Sequence, residues 1–144
     1  MNKELILTQL TELGFSMEEI PELGHVFNYE GITYIYMPDE DESFLRFAVP
    51  NIFDVTDDNR GVVLEVVNDT NMGIKYSKVC VYSESVWAFY EYRLFANENI
   101  EEIIEHCLLL LQATIYLFRR KVEGEDDVLL GSDNDKNEMK EDKK

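Results

Sequence analysis

The stretch NENIEEIIEHCLLLLQATIYLFRRK, from Asn97 to Lys121, decides the fold. Ile100, Ile104, Leu108, Leu111, Ile115, Phe118 and Val122 recur at the 3,4 spacing of one buried helical stripe. Ile103, Cys107, Leu110, Thr114 and Leu117 widen it. Asn99 can accept from an orphan amide of the first turn, and Glu102 stands where a capping box places an acid. Glu98, Glu101 and Glu102 suit the positive end of the helix dipole; Arg119, Arg120 and Lys121 suit the negative end. Leu109, Gln112 and Tyr116 fall on the side that a surface helix keeps polar. They call for a second contact, either deeper in the protein's own core or in a dimer interface.

Upstream, the chain reads as sheet and shorter helices for this helix to cover. Lys3 to Leu13 predicts a first helix, with Leu5, Ile6, Leu10 and Leu13 inward and Gly14 closing it. Ser16 to Glu19 suggests a short helical turn stopped by Pro21. Three strands follow: His25 to Tyr29, Ile32 to Met37 across a Glu30-Gly31 turn, and Phe44 to Val49 ended by Pro50. Between Asp54 and Met72 the run Val62-Val63-Leu64-Glu65-Val66-Val67 has strand propensity. Helical spacing at Val63, Val66, Val67 and Thr70 favours a helix, capped by Thr56 or Asp57 and closed by Gly73, with Glu65, Asn68, Asp69 and Asn71 solvated. Ile74 to Tyr82 and Val86 to Phe95 form a hairpin across Ser83-Glu84-Ser85. The expectation is an α+β domain of order α-β-β-β-α-β-β-α, with an antiparallel sheet of about five strands and the long C-terminal helix packed on it. Residues 1–122 make one domain; residues 123–144, acidic and without apolar period, read as a disordered tail whose apolar run Val128-Leu129-Leu130 is able to dock transiently.

Composition narrows the function. The 144 residues carry a formal charge of −17, which repels nucleic acid and anionic membrane. The run Cys107 to Leu111 is too short to span a bilayer. The N-terminus has acids inside its apolar run and no small-residue cleavage site, so a cytoplasmic location is expected. Cys80 and Cys107, with no metal-type spacing, are expected to be reduced, buried and structural.

No catalytic, cofactor or metal constellation emerges. His106 and Cys107 are helix neighbours and point about 100° apart, too divergent for a Cys–His pair. Glu102 and His106 share one helix face but lack a third ligand. Asp133, Asp135 and Asn137 imitate the start of a calcium loop, but Glu138 and Lys144 stand where it needs Gly and Glu. Asp39 to Glu42 reads as a charged turn, and no phosphate-binding glycine motif or nucleophile elbow is present.

Leu45-Arg46-Phe47, the Val-rich helix ending near Asn68, the Lys75 to Phe95 hairpin and the helix opening Glu101-Glu102-Ile103 together resemble the YbjN-like family, bacterial proteins regarded as candidate sensory transduction regulators. The resemblance covers Phe44 to Phe118 and implies a small α+β domain akin to type III secretion chaperones, commonly a homodimer, with no enzymatic activity.

The aromatic content points the same way. With Leu45, Phe47, Val79, Val81, Tyr90 and Tyr92 facing the helices, the opposite sheet face carries Phe44, Arg46, Tyr76, Lys78, Trp87, Phe89, Glu91 and Arg93. Aromatics with arginine are the composition of protein-binding surfaces. Phe44, Arg46, Tyr76, Lys78, Trp87, Phe89 and Arg93 are therefore the candidate partner-binding residues, unless the Phe15 to Leu23 segment or a dimer mate covers them. The expected function is non-enzymatic binding of a protein or peptide in a chaperone-like or regulatory role. The alternative is a small-molecule sensor with a tyrosine-lined pocket between the long helix and the sheet.

Overall fold

Helix α1 (Asn2–Glu12) buries Ile6 and Leu10, with Leu13 just beyond it packed on the core as expected, but Leu5 is exposed and Leu7 takes its place on the inward face. Gly14 at φ +100° closes the helix and reverses the chain, with Phe15 N–H reaching back to Leu10 O. The computed structural model of the chain describes residues 2–95 and 97–124.

The segment expected to form a helical turn is instead β1 (Glu18–Ile20), paired antiparallel with β2 (Gly24–Tyr29). Four residues of local propensity are outweighed here by pairing to a neighbour. Gly24 lets the start of β2 lie close against the next strand: at φ +145°, a Cβ there would lie 2.3 Å from Tyr36 O. Glu30 and Gly31, both at positive φ, turn β2 into β3 (Ile32–Tyr36).

Strand β4 (Phe44–Asp54) runs through Pro50 rather than stopping there. Its register against β6 (Ser85–Arg93) shifts between Val49 and Phe53, and Asn51 sits at φ +55°. Proline has no N–H to give a ladder, and a bulge is a place where none is required.

The Val-rich run is helical, as its spacing predicts: α2 (Arg60–Gly73) buries Val63, Val66 and Thr70. The cap differs from expectation. Asn59 is the N-cap, and Thr56 braces it: each side chain accepts from the other's backbone N–H, at 2.8 and 3.3 Å. Asp69 and Asn71 are not simply solvated. Asp69 Oδ2 lies 2.7 Å from Lys121 Nζ. Asn71 bonds the outer edge of β5 (Ser77–Tyr82), donating to Val79 O at 2.9 Å and accepting from Val79 N–H at 2.8 Å.

Helix α3 (Ile100–Val122) follows its predicted stripe, burying Ile104, Cys107, Leu108, Leu111, Thr114, Ile115 and Phe118. Asn99 caps it, accepting from Glu102 N–H at 3.1 Å. The sheet order is β1-β2-β3-β4-β6-β5, six antiparallel strands rather than five because of β1. Residues of all three helices join a single core cluster with Phe27, Tyr34, Leu45, Phe47, Val79 and Tyr90 of the sheet. The helices therefore share one face of it. A buried bond of 2.6 Å between Ser77 and Thr114 hydroxyls ties α3 to β5.

Replacing Asn71 with Ala removes both partners of Val79. The loss should destabilise the fold by about 2 kcal/mol, read as a lower urea midpoint at unchanged slope. A loss under about 0.5 kcal/mol, the range of an ordinary surface change, would show that water replaces the side chain.

Candidate functional site

Cross-strand register sorts the sheet's side chains. Phe44 lies opposite Arg93, Arg46 opposite Glu91, Ala48 opposite Phe89, and β5 continues the rows with Lys78 beside Phe89 and Cys80 beside Trp87. These residues face away from the helices. Ile35, opposite Ala48, shares that face; both are buried, yet both stand outside the main core cluster. Above this apolar floor lies an aromatic run: Tyr82 meets Trp87 edge-on at 5.2 Å, and Trp87 stacks on Phe89 at 6.0 Å. Trp87 Nε1 donates to Ser85 Oγ, which donates to Asn51 Oδ1 at the bulge. Arg46 lies over Phe89, 5.4 Å from the ring centre.

Glu91 stands between two bases, 3.1 Å from Arg46 Nε and 3.2 Å from Lys78 Nζ. Exposed pairs of this kind stabilise a fold by about 0–1 kcal/mol each. The trio therefore does little for stability, while it orients two cations over an aromatic surface. Arg93 leans over the exposed Phe95. Phe44 is partly exposed opposite it. The Phe15 to Leu23 segment does not cover this face: Phe15 packs on Phe27 and Tyr29, with the helices.

One expected member is elsewhere. Tyr76 takes φ +71°, which breaks strand alternation just before β5 and delivers its ring to the helix side. It meets His106 edge-on at 5.1 Å and lies 6.3 Å from both Tyr90 and Tyr92. Tyr82, at the other end of β5, does stand on the open face, in parity with Lys78.

Around Tyr76, a groove of about 530 Å³ opens between α3 and the start of β5, lined by Ser77, His106, Leu110, Thr114 and Leu117. Tyr90 OH lies 3.1 Å from His106 Nδ1, and Tyr92 OH donates to Glu98 Oε2 at 2.9 Å. Glu102 does not line the groove. His106 is exposed while Cys107 is buried, and burial pushes the Cys107 thiol well above its ordinary pKa. Burial likewise raises the Cys80 thiol, so neither is disposed to act as a thiolate. Among the described residues, no group of three or more His, Cys, Asp or Glu side chains could hold a metal ion, and no helix is long and apolar enough to cross a membrane. The calcium-loop imitation at 133–144 lies outside the described residues.

Of the dimer-interface candidates, Leu109 and Tyr116 are each 64% exposed. Gln112 is half-buried and donates to Glu30 Oε1 at 3.4 Å. Leu109 and Gln112 border a groove of about 360 Å³ with Leu13, Phe15 and Tyr29, and Arg120 lies over the Tyr116 ring at 5.6 Å.

Two solved structures share this architecture. YbjN from E. coli, described as a candidate transcription regulator, matches with a TM-score of 0.62 at 10% identity, over 87% of this chain and 92% of that one. An uncharacterised protein from Methanothermobacter thermautotrophicus matches with a TM-score of 0.50 at 16% identity, over 91% of this chain and 100% of that one. Neither a protein-family model nor a curated protein matches the chain. At these identities the likeness is one of fold, and the chain has the YbjN-like fold.

The buried phenols set an alkaline limit on the domain. Burial holds Tyr34 and Tyr36 neutral, with pKa values raised from 10.0 to about 12, and pushes Tyr90 in the same direction. An unfolded chain releases these protons from about pH 10, so the fold retains more protons than the unfolded state above that pH. The contribution is complete below pH 10 and is lost as pH rises towards 12. Urea midpoints should fall across this window, with the last tyrosinate absorbance at 295 nm appearing together with unfolding. A flat midpoint would contradict this account.

Proposed function

We propose that this YbjN-like fold serves as a non-enzymatic protein- or peptide-interaction domain with a regulatory or chaperone-like role, acting through its open sheet face. The supporting observation is the uncovered surface of Trp87, Phe89, Tyr82 and Phe44 set among Arg46, Lys78 and Arg93. Half-exposed Trp and Arg on a rigid sheet are the side chains that dominate binding energy at protein interfaces. Within a chain of charge −17, this concentration of bases suits an acidic or mixed partner segment. In a pull-down from native lysate, the Arg46→Glu, Arg93→Glu double variant should retain its melting temperature and lose the partner that the parent protein captures. Losing one such anchor weakens binding by about 30-fold. Equal capture by both proteins would remove the open face from the reading.

A second reading, a small-molecule sensor, is favoured by the groove beside Tyr76 and His106. Its apolar wall of Leu110 and Leu117 with a few polar groups is the usual make-up of a ligand site. A ligand that binds only the folded state raises the melting temperature. Addition of a broad metabolite set without any shift would end this reading.

A further inference from the structure

The end of α3 and the aromatic half of the open face lie at the same end of the sheet. Phe118 packs on Phe53 at 5.9 Å, and Arg119 Nε donates to Ile52 O at 3.2 Å. The next residue, Asn51, accepts from Ser85 Oγ, which in turn accepts from Trp87 Nε1. The chain therefore leaves the helix layer close to the bulge, with Trp87 and Tyr82 just across the sheet's end. Gly124 takes φ +82°, a turn out of the helix direction.

Twenty residues follow, 125–144, with eight acids against four lysines. We propose that this segment docks on the open face of its own molecule. Val128-Leu129-Leu130 cover Trp87 and Phe89, and Asp133 and Asp135 meet Arg46 and Lys78. Three observations support that occupant. Reach is the first. Val128 to Leu130 come four to six residues after Gly124, about 13–20 Å of extended chain. Rounding the end of the sheet takes about the 10 Å width of one helix. Spacing is the second. Asp133 and Asp135 lie four and six residues beyond Leu129, about 13–20 Å. Glu91, which marks the two bases, lies four residues beyond Trp87 along β6, about 13 Å. Charge is the third. Along β4, β5 and β6 the bases Arg46, Lys78 and Arg93 surround one acid, Glu91, with Asp41 acting on Arg93 from the edge and Glu18 at the far end of the Ala48 row. An acidic segment with a short apolar run complements that surface, and a partner would have to displace it.

The inference uses the same face as the interaction reading, but its test needs no partner. Trp87 is the single tryptophan of the chain, so its fluorescence reports on this face alone. Acrylamide, being uncharged, measures its accessibility. The full chain is compared with the full chain carrying Val128→Ser, Leu129→Ser and Leu130→Ser, and with one carrying Asp133→Lys and Asp135→Lys. A tail docked in at least half the molecules predicts a quenching constant about twofold higher in the triple variant. It also predicts a rise in the charge variant and no dependence on protein concentration. Equal quenching in all three proteins overturns the proposal. Shielding that fades on dilution assigns the face to a second copy instead, and also overturns it. A partner captured in the charge-reversal test alongside equal quenching would sink the tail and keep the interaction domain. Altered quenching with no captured partner would do the reverse.

Discussion

The apolar stripe of α3 against the sheet is the contact on which the molecule depends. In proteins most of a helix's stability comes from burying its apolar face against a partner rather than from intrinsic propensity. Helix α3 packs on β4, β5 and β6, the central and C-terminal strands, and its Ile104, Leu108, Leu111, Ile115 and Phe118 are buried in the shared core. The other two helices complete the same layer: α2 packs on α3 and β5, and α1 reaches α3. With all three helices on one face, the second face of the sheet depends on side chains alone to shield Ile35 and Ala48. Trp87, Phe89 and Arg46 are large enough to contribute to that shielding, and for the same reason they remain half-exposed to solvent.

The parts of this arrangement governed by periodicity were legible in the sequence. The α3 stripe, its Asn99 cap and the helical spacing of Val63, Val66 and Thr70 all carry through to the structure, the last against the strand propensity of its own valines. Strand alternation placed Arg46, Lys78, Trp87 and Phe89 on one face. What escaped was governed by single backbone angles or by pairing at a distance. Tyr76 crosses to the helix side through one positive φ, a conformation that nothing in the identity of a tyrosine announces. Strand β1 exists because β2 is there to pair with it. Pro50 is tolerated because β4 bulges, a property of the pair β4 and β6 rather than of either segment.

The open face and the Tyr76 groove divide the molecule into two chemically distinct surfaces. The first is broad, aromatic and cationic, and the second narrow and backed by the buried Ser77–Thr114 bond. The β5–β6 hairpin serves both: Trp87 and Tyr82 stand on the open face, while Tyr90 and Tyr92 pack against Tyr76 beside the groove. A change in the hairpin would thus be felt on both surfaces at once, which single substitutions on α3 would not achieve.

The two bonds from Asn71 to Val79 bear on how the molecule meets other chains at all. A border strand presents free amides and carbonyls on which another strand can template itself. At β5 the amide of Asn71 imitates that added strand and occupies the position at Val79. At the opposite border, β1 is three residues long and carries Glu18 and Glu19, too short and too charged to invite a neighbour. With both borders guarded, extension of the sheet from molecule to molecule is disfavoured. Any contact with another chain is thereby steered to side chains on a face, where sequence can discriminate, and away from main-chain pairing, which is indifferent to what it joins.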